Sequence, residues 1–129
     1  MQVQCRSNDI SVVPNKYRKY AFTQDDSGKI DTTVGRQYAV YGIREFDGMT
    51  YYLVPTDSIH SDAPWWMPGF LYEVVDDLIP KTWAERKRGI IKKDIIIAPP
   101  SYHNHENEIE DGGSEAAEIF AQMRKESGY

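Results

Sequence analysis

Two residues, Asp47-Gly48, constrain this chain more than any other feature of its sequence. They stand between two β-rich runs, "VGRQYAVYGIREF" before and "MTYYLVPTD" after. A two-residue Asp-Gly loop suits a type I′ turn, in which both central residues take positive φ. The twist of that turn matches the right-handed twist of the strands it joins. A β-hairpin is therefore expected here. Alternation along its first arm sets Tyr38, Val40 and Gly42 on one face and Ala39, Tyr41 and Ile43 on the other. Apolar residues occur on both. Such a hairpin is covered on both sides, as in a small curled sheet, or keeps one face free for a partner.

The rest of the chain supplies further strands and one helix. Residues 2–5 and 10–13 read as short strands, interrupted by Pro14-Asn15, and residues 24–31 as a polar loop turning at Ser27-Gly28. In "PWWMPGFLYEVVD" an extended segment begins at Trp66, Pro68-Gly69 turns, and residues 71–76 form another strand. "LIPKTW" reads as a tight turn that folds Trp83 back onto the sheet. "GIIKKDIIIAPP" reads as one strand or a bent pair, stopped by Pro99-Pro100. In "SEAAEIFAQMRKESG" the residues Ala116, Ile119, Phe120 and Met123 recur at helical spacing. Ser114 is placed to cap this helix, Glu115 and Glu118 suit its positive end, Arg124 and Lys125 its negative end, and Gly128 its close. The apolar stripe is expected to pack on the sheet. One α+β domain follows, mainly β, over residues 1–129. Its β-rich core covers about 34–98 and its C-terminal helix about 114–127.

Composition narrows the class of function. At 129 residues, 40% of them hydrophobic and 27% charged, the chain suits a single globular domain. No apolar run approaches the roughly 20 residues of a membrane span, and the first residues lack the apolar region of a signal peptide. The single cysteine, Cys5, cannot close an internal disulfide, so the cytoplasm is the expected compartment. A net charge of −5 disfavours general affinity for nucleic acid. The charge is uneven, with a basic stretch over 81–93 followed by an acidic one holding Glu106, Glu108, Glu110, Asp111, Glu115 and Glu118. Either the two patches neutralise each other on a solvated surface, or the acidic tract docks a basic partner.

Catalytic constellations are weak. His103 and His105 with Glu106 would hold a metal if extended, because an H-x-H pair on a strand points both rings to one side. Zinc needs three or four ligands, and Cys5 and His60 are remote, so a solvated loop or helix start is the expectation. A nuclease pairing His60 with one of these histidines, with Lys92 or Lys93 at the phosphate, is sound chemistry on an unsuitable acidic surface. There is no Gly-rich phosphate loop, nucleophile elbow or C-x-x-C. No enzyme, metal or cofactor is expected. Trp66 and Trp83 are expected in the core. Trp65 would face away from Trp66 on a strand, as second-layer packing or as an interaction anchor.

The segments "VGRQYAVYGI", "GMTYYLV", "PWWMPGFLYEVVD" and "LIPKTW", within residues 34–83, resemble a pattern VGKxYxVYGI…YYLI…PxWxPxxLFEVVD with a closing Pro-x-x-Trp. That pattern belongs to small bacterial immunity proteins encoded beside secreted toxin domains, as in contact-dependent growth inhibition. Tyr72 stands where the pattern usually has Phe. The resemblance implies a strongly curled antiparallel sheet, an SH3-like partial barrel, carrying the C-terminal helix. It also implies a protein, monomer or weak dimer, that binds a cognate toxin domain in the cytoplasm and blocks its active site or substrate groove. Against a basic nuclease groove, the expected contact residues are Glu45, Asp47, Asp57, Asp62, Trp65, Glu106, Glu108, Glu110 and Asp111. The rival reading is an SH3-like module gripping proline-rich peptides with Tyr51, Tyr52 and Trp65.

Overall fold

The computed structural model describes residues 1–18, 30–57, 63–89, 93–111 and 114–129. Asp47 and Gly48 take φ of 51° and 81°, and Phe46 pairs with Met49 across them. This is the expected two-residue type I′ turn. The expected turn at Ser27-Gly28 lies outside the described residues.

Strands β1 (Gln2–Cys5), β2 (Gln37–Ala39), β3 (Ile43–Phe46), β4 (Met49–Val54), β5 (Trp65–Pro68), β6 (Tyr72–Asp76), β7 (Ala84–Arg88) and β8 (Asp94–Ala98) pair antiparallel. They form two sheets, in the orders β2-β1-β6 and β5-β4-β3-β8-β7. Helices α1 (Asn15–Arg18), α2 (Pro100–Asn104) and α3 (Glu106–Asp111) are short, and α4 (Ser114–Ser127) ends the chain. The class is α+β, mainly β, with the C-terminal helix in its expected place. The strands divide between two sheets, and among the described residues neither closes into a barrel.

Three crossings create that division, between β2 and β3, between β5 and β6, and between β6 and β7. Between β2 and β3 the chain leaves one sheet and enters the other, and Val40 and Tyr41, neighbours in sequence, are both buried. Simple alternation fails there because the strand bends from one layer to the next. Gly42 permits the crossing: a Cβ on it would lie 3.0 Å from the Trp66 ring and 3.4 Å from the Cβ atoms of Ala98 and Leu53. The second crossing is a single 3-10 turn, Gly69–Leu71, between β5 and β6. Residues 10–13 are not a strand either. Asp9 accepts a hydrogen bond from the Ser11 amide at 2.9 Å and starts a 3-10 turn over Ile10–Val12.

The described residues stack in three layers around two cores. Val3, Cys5, Tyr38, Val54, Met67, Leu71 and Trp83 fill the space between the sheets. Leu53, Ile96, Ala98 and Tyr102 meet Ala116, Phe120 and Met123 of α4 on the other side of the larger sheet. The stripe read from the sequence thus packs as expected, with Phe120 set edge-on to Tyr41 at 4.7 Å. Gly128, at φ 76°, closes α4 in a Schellman motif. Its amide donates to the Lys125 carbonyl at 3.2 Å, and the Tyr129 amide to that of Arg124 at 3.0 Å.

The tryptophans hold the layers together. Trp83 returns through a turn closed by its amide on the Pro80 carbonyl, and its indole N–H donates to Ser127 Oγ at 2.9 Å. Trp66 donates to the Tyr102 hydroxyl at 3.1 Å while packing edge-on to that ring. Trp65 and Trp66 are both half-buried, Trp65 against the inter-sheet core and Trp66 against both cores. Neither is the outward-facing member of an inside-outside pair, because the sheet bearing them is covered on both faces.

Candidate partner-binding surfaces

The acidic tract forms α3 and folds against the basic stretch that precedes it. The basic stretch itself contains β7, an edge strand that its composition concealed. Arg88 ends β7, and its Nη1 lies 3.2 Å from Glu106 Oε2 and 3.7 Å from Glu110 Oε1. The spacing i, i+4 brings those two carboxylates to one face of the helix. Glu110 also accepts from the Tyr102 hydroxyl at 3.1 Å, and Glu108 lies 3.8 Å from His105 Nδ1. Asp111 is exposed and makes no such contact among the described residues. Beside the tract runs an open cleft of about 440 Å³, lined by Ser101, His105, Glu108, Glu115, Glu118 and Ile119 among others.

At the hairpin, Glu45 accepts from Thr50 Oγ1 at 2.7 Å, and Asp47 is exposed at the turn. Its neighbour is a groove of about 340 Å³ between the turn and Gly69–Leu71, walled by Tyr52 and the 55%-exposed Phe70. Asp57 has a different role. It accepts from Thr33 Oγ1 at 2.5 Å, Arg36 Nη1 at 2.9 Å and the Tyr38 hydroxyl at 2.7 Å. These bonds tie the end of β4 to the segment leading into β2, so this carboxylate is a bracket within the fold. Burial, with the Asp57 charge adding to it, pushes the Tyr38 phenol up to about 12. Asp62 lies outside the described residues.

The aromatic groove of the rival reading does not assemble. Tyr51 and Tyr52 are consecutive on β4 and point to opposite faces. Tyr51 is 2% exposed. Trp65 sits opposite Val54, packed against the core. The three rings form no common platform.

The histidines separate as well. Pro100 opens α2, so residues 102–104 are helical and the H-x-H geometry of a strand is lost. His103 is buried and its Nε2 lies 2.7 Å from the Ala84 carbonyl. A carbonyl only accepts, so Nε2 carries the hydrogen and the ring pins α2 to β7. His105 is exposed. Among the described residues no three His, Cys, Asp or Glu could share a metal ion. His60 and Lys92 lie outside the described residues.

A run of four exposed apolar residues lies where the sequence signalled only a strand and a turn. Among the described residues β6 pairs with β1 alone. Its pairing jumps from Val3↔Val74 to Gln2↔Asp76, leaving Val75 as a bulge residue. Val74 is 39% exposed, Val75 44%, Leu78 74% and Ile79 39%. Glu73 pairs with Arg6, and Asp76 accepts from the Leu78 amide at 3.0 Å. A visible signal was the run "EVVDD", in which the valines are bracketed by carboxylates that no interior strand would tolerate unpaired.

Compared with family models, with curated proteins and with solved structures, the chain matches none.

Proposed function

We propose that this chain is an immunity protein that binds a cognate bacterial toxin domain, a nuclease, in the cytoplasm and covers its active site or substrate groove. The observation that carries this reading is the strip Val74, Val75, Leu78 and Ile79, apolar and open to solvent on a chain of net charge −5. Exposed apolar patches rimmed by polar residues mark protein contact surfaces. The resemblance of residues 34–83 to immunity proteins points the same way. The negative charge would speed encounter with a basic nuclease groove, and apolar contacts would hold the complex. Glu45 and Asp47 at the hairpin and Glu108 and Asp111 on α3 add to that negative charge.

Co-expression with the toxin-like domain encoded beside this chain tests the proposal. Growth should be rescued and a stable complex should purify. Association should slow as salt rises, since the reach of these charges shrinks to about 8 Å near physiological ionic strength. Growth arrest despite full expression of this chain would overturn the reading.

A further inference from the structure

We infer that the free edge of β6 receives an extended, cationic segment of the partner as an added strand, an inference that rests on the toxin-binding reading above. An edge strand presents a row of unpaired N–H and C=O groups, and folded proteins blunt such edges. The other three edges here are blunted. β7 exposes Glu85, Arg86 and Lys87, β2 has only three residues, and β5 ends in Pro68. β6 carries a bulge at Val75 and acidic residues at both ends, yet it also exposes Val74 and Val75, with Leu78 and Ile79 just beyond. Among the described residues no strand pairs with its outer edge.

Charge selects the occupant. Asp76 and Asp77 are exposed and form no ion pair among the described residues. A second copy of this chain is a poor occupant. Antiparallel self-pairing about Val74 puts Glu73 diagonal to the partner copy's own Glu73, and about Val75 it puts Glu73 opposite Asp77. Like charges so placed destabilise a strand pair. A segment that sets apolar residues against Val74 and Val75 and Lys or Arg against Asp76 and Asp77 meets both needs: ladder bonds and valine contacts along the strand, and cations for the two aspartates.

Amide hydrogen exchange of the full chain, free and bound to the toxin-like domain encoded beside it, tests this. Exchange at residues 74–77 should slow by about tenfold or more in the complex. The double variant Val75→Lys/Leu78→Lys should keep the wild-type circular dichroism and melting temperature yet bind about tenfold more weakly or worse. Val12→Lys/Val34→Lys, the same change made at two exposed valines outside β6, should as control bind within about threefold of wild type. A complex that leaves residues 74–77 exchanging at the free rate, or a double variant that binds like wild type, overturns the added strand while leaving toxin binding intact. Slowed exchange in the chain alone, growing with its concentration, would make a second copy the occupant and overturn the cationic partner. A wild-type chain that forms no complex removes toxin binding itself, and the added strand with it.

Discussion

β6 and β8 are strands of five residues built on the same idea, "YEVVD" and "DIIIA", and they end in opposite circumstances. β8 lies between β3 and β7, and its Ile96 is fully buried under the helical layer. β6 has β1 on one side and no strand on the other among the described residues, and four of its five residues are exposed. Branched side chains suit both, because they fit a pleated surface wherever it lies. What differs is the number of neighbours, and pairing decides that over distances of tens of residues. Charge obeys the same rule. Asp94 at the head of β8 is buried in a bidentate pair with Arg44, at 2.9 and 2.8 Å, whereas Asp76 at the end of β6 faces water.

The strongest probe acts where the two strands agree. Tyr72 opens β6 and Tyr102 follows β8, and burial raises both phenols above their ordinary value of 10. Tyr38 and Tyr129 are pushed up to about 12, again chiefly by burial. These phenols ionise more easily in the unfolded chain. Their contribution to stability is therefore whole below pH 10 and is lost as pH rises toward 12 and beyond. Denaturant melts repeated from pH 9 upward should show stability falling steeply to loss of the fold, with tyrosinate absorbance appearing at the unfolding step. Phenols titrating at 10 in a folded chain would contradict it.

Ile96→Ala should come next, costing about 4 kcal/mol of unfolding free energy through the cavity it leaves. Asp94→Ala should cost about 3 kcal/mol, because it strands the Arg44 guanidinium, only 21% exposed, without its partner. A small loss there would place the pair on the surface and weaken the contrast with Asp76. Gly48→Val should cost about 1 kcal/mol or more, since a β-branched residue resists the φ of 81° held at the turn. Smallest of all is Val75→Ala on β6, at no more than about 0.5 kcal/mol by the same melts. A loss there approaching that of Ile96→Ala would mean that β6 is covered, and the comparison would collapse.

What the sequence makes legible is local. The Asp47-Gly48 turn, the stripe and closing Gly128 of α4, and the return of Trp83 each depend on residues within a few positions. The rest depends on pairings that no short window contains. β7 hides because Glu85, Arg86 and Lys87 read as a charged face, and only β8 beside it makes that face a strand edge. The acidic tract looks free until Arg88 is set against Glu106 and Glu110. Asp57 looks like a loop charge until Tyr38 and Arg36 close around it. In the last two cases the residues read as acidic from the sequence, and the neighbour that absorbs the charge comes from a distant strand or loop. The exposed valines of β6 are hidden for the converse reason: a strand-forming run reads as covered, and among the described residues no strand pairs on its outer side.

The position of β1 has its own consequence, for the order of assembly. This first strand is the middle of its sheet, with β2 on one side and β6 on the other, so Val3 waits for Tyr38 and then for Val74. Pairings so far apart in sequence make for slow folding, on the order of milliseconds to seconds. During synthesis β1 emerges before the other described strands, yet it is enclosed only once β6 has followed. Until residues 72–76 arrive, Val3 and Cys5, fully buried in the finished fold, are open to chaperones and to neighbouring nascent chains. The outer edge of β6 is shaped only once β1 has docked against its inner one, so a chain half made carries no finished surface with which to seize a partner.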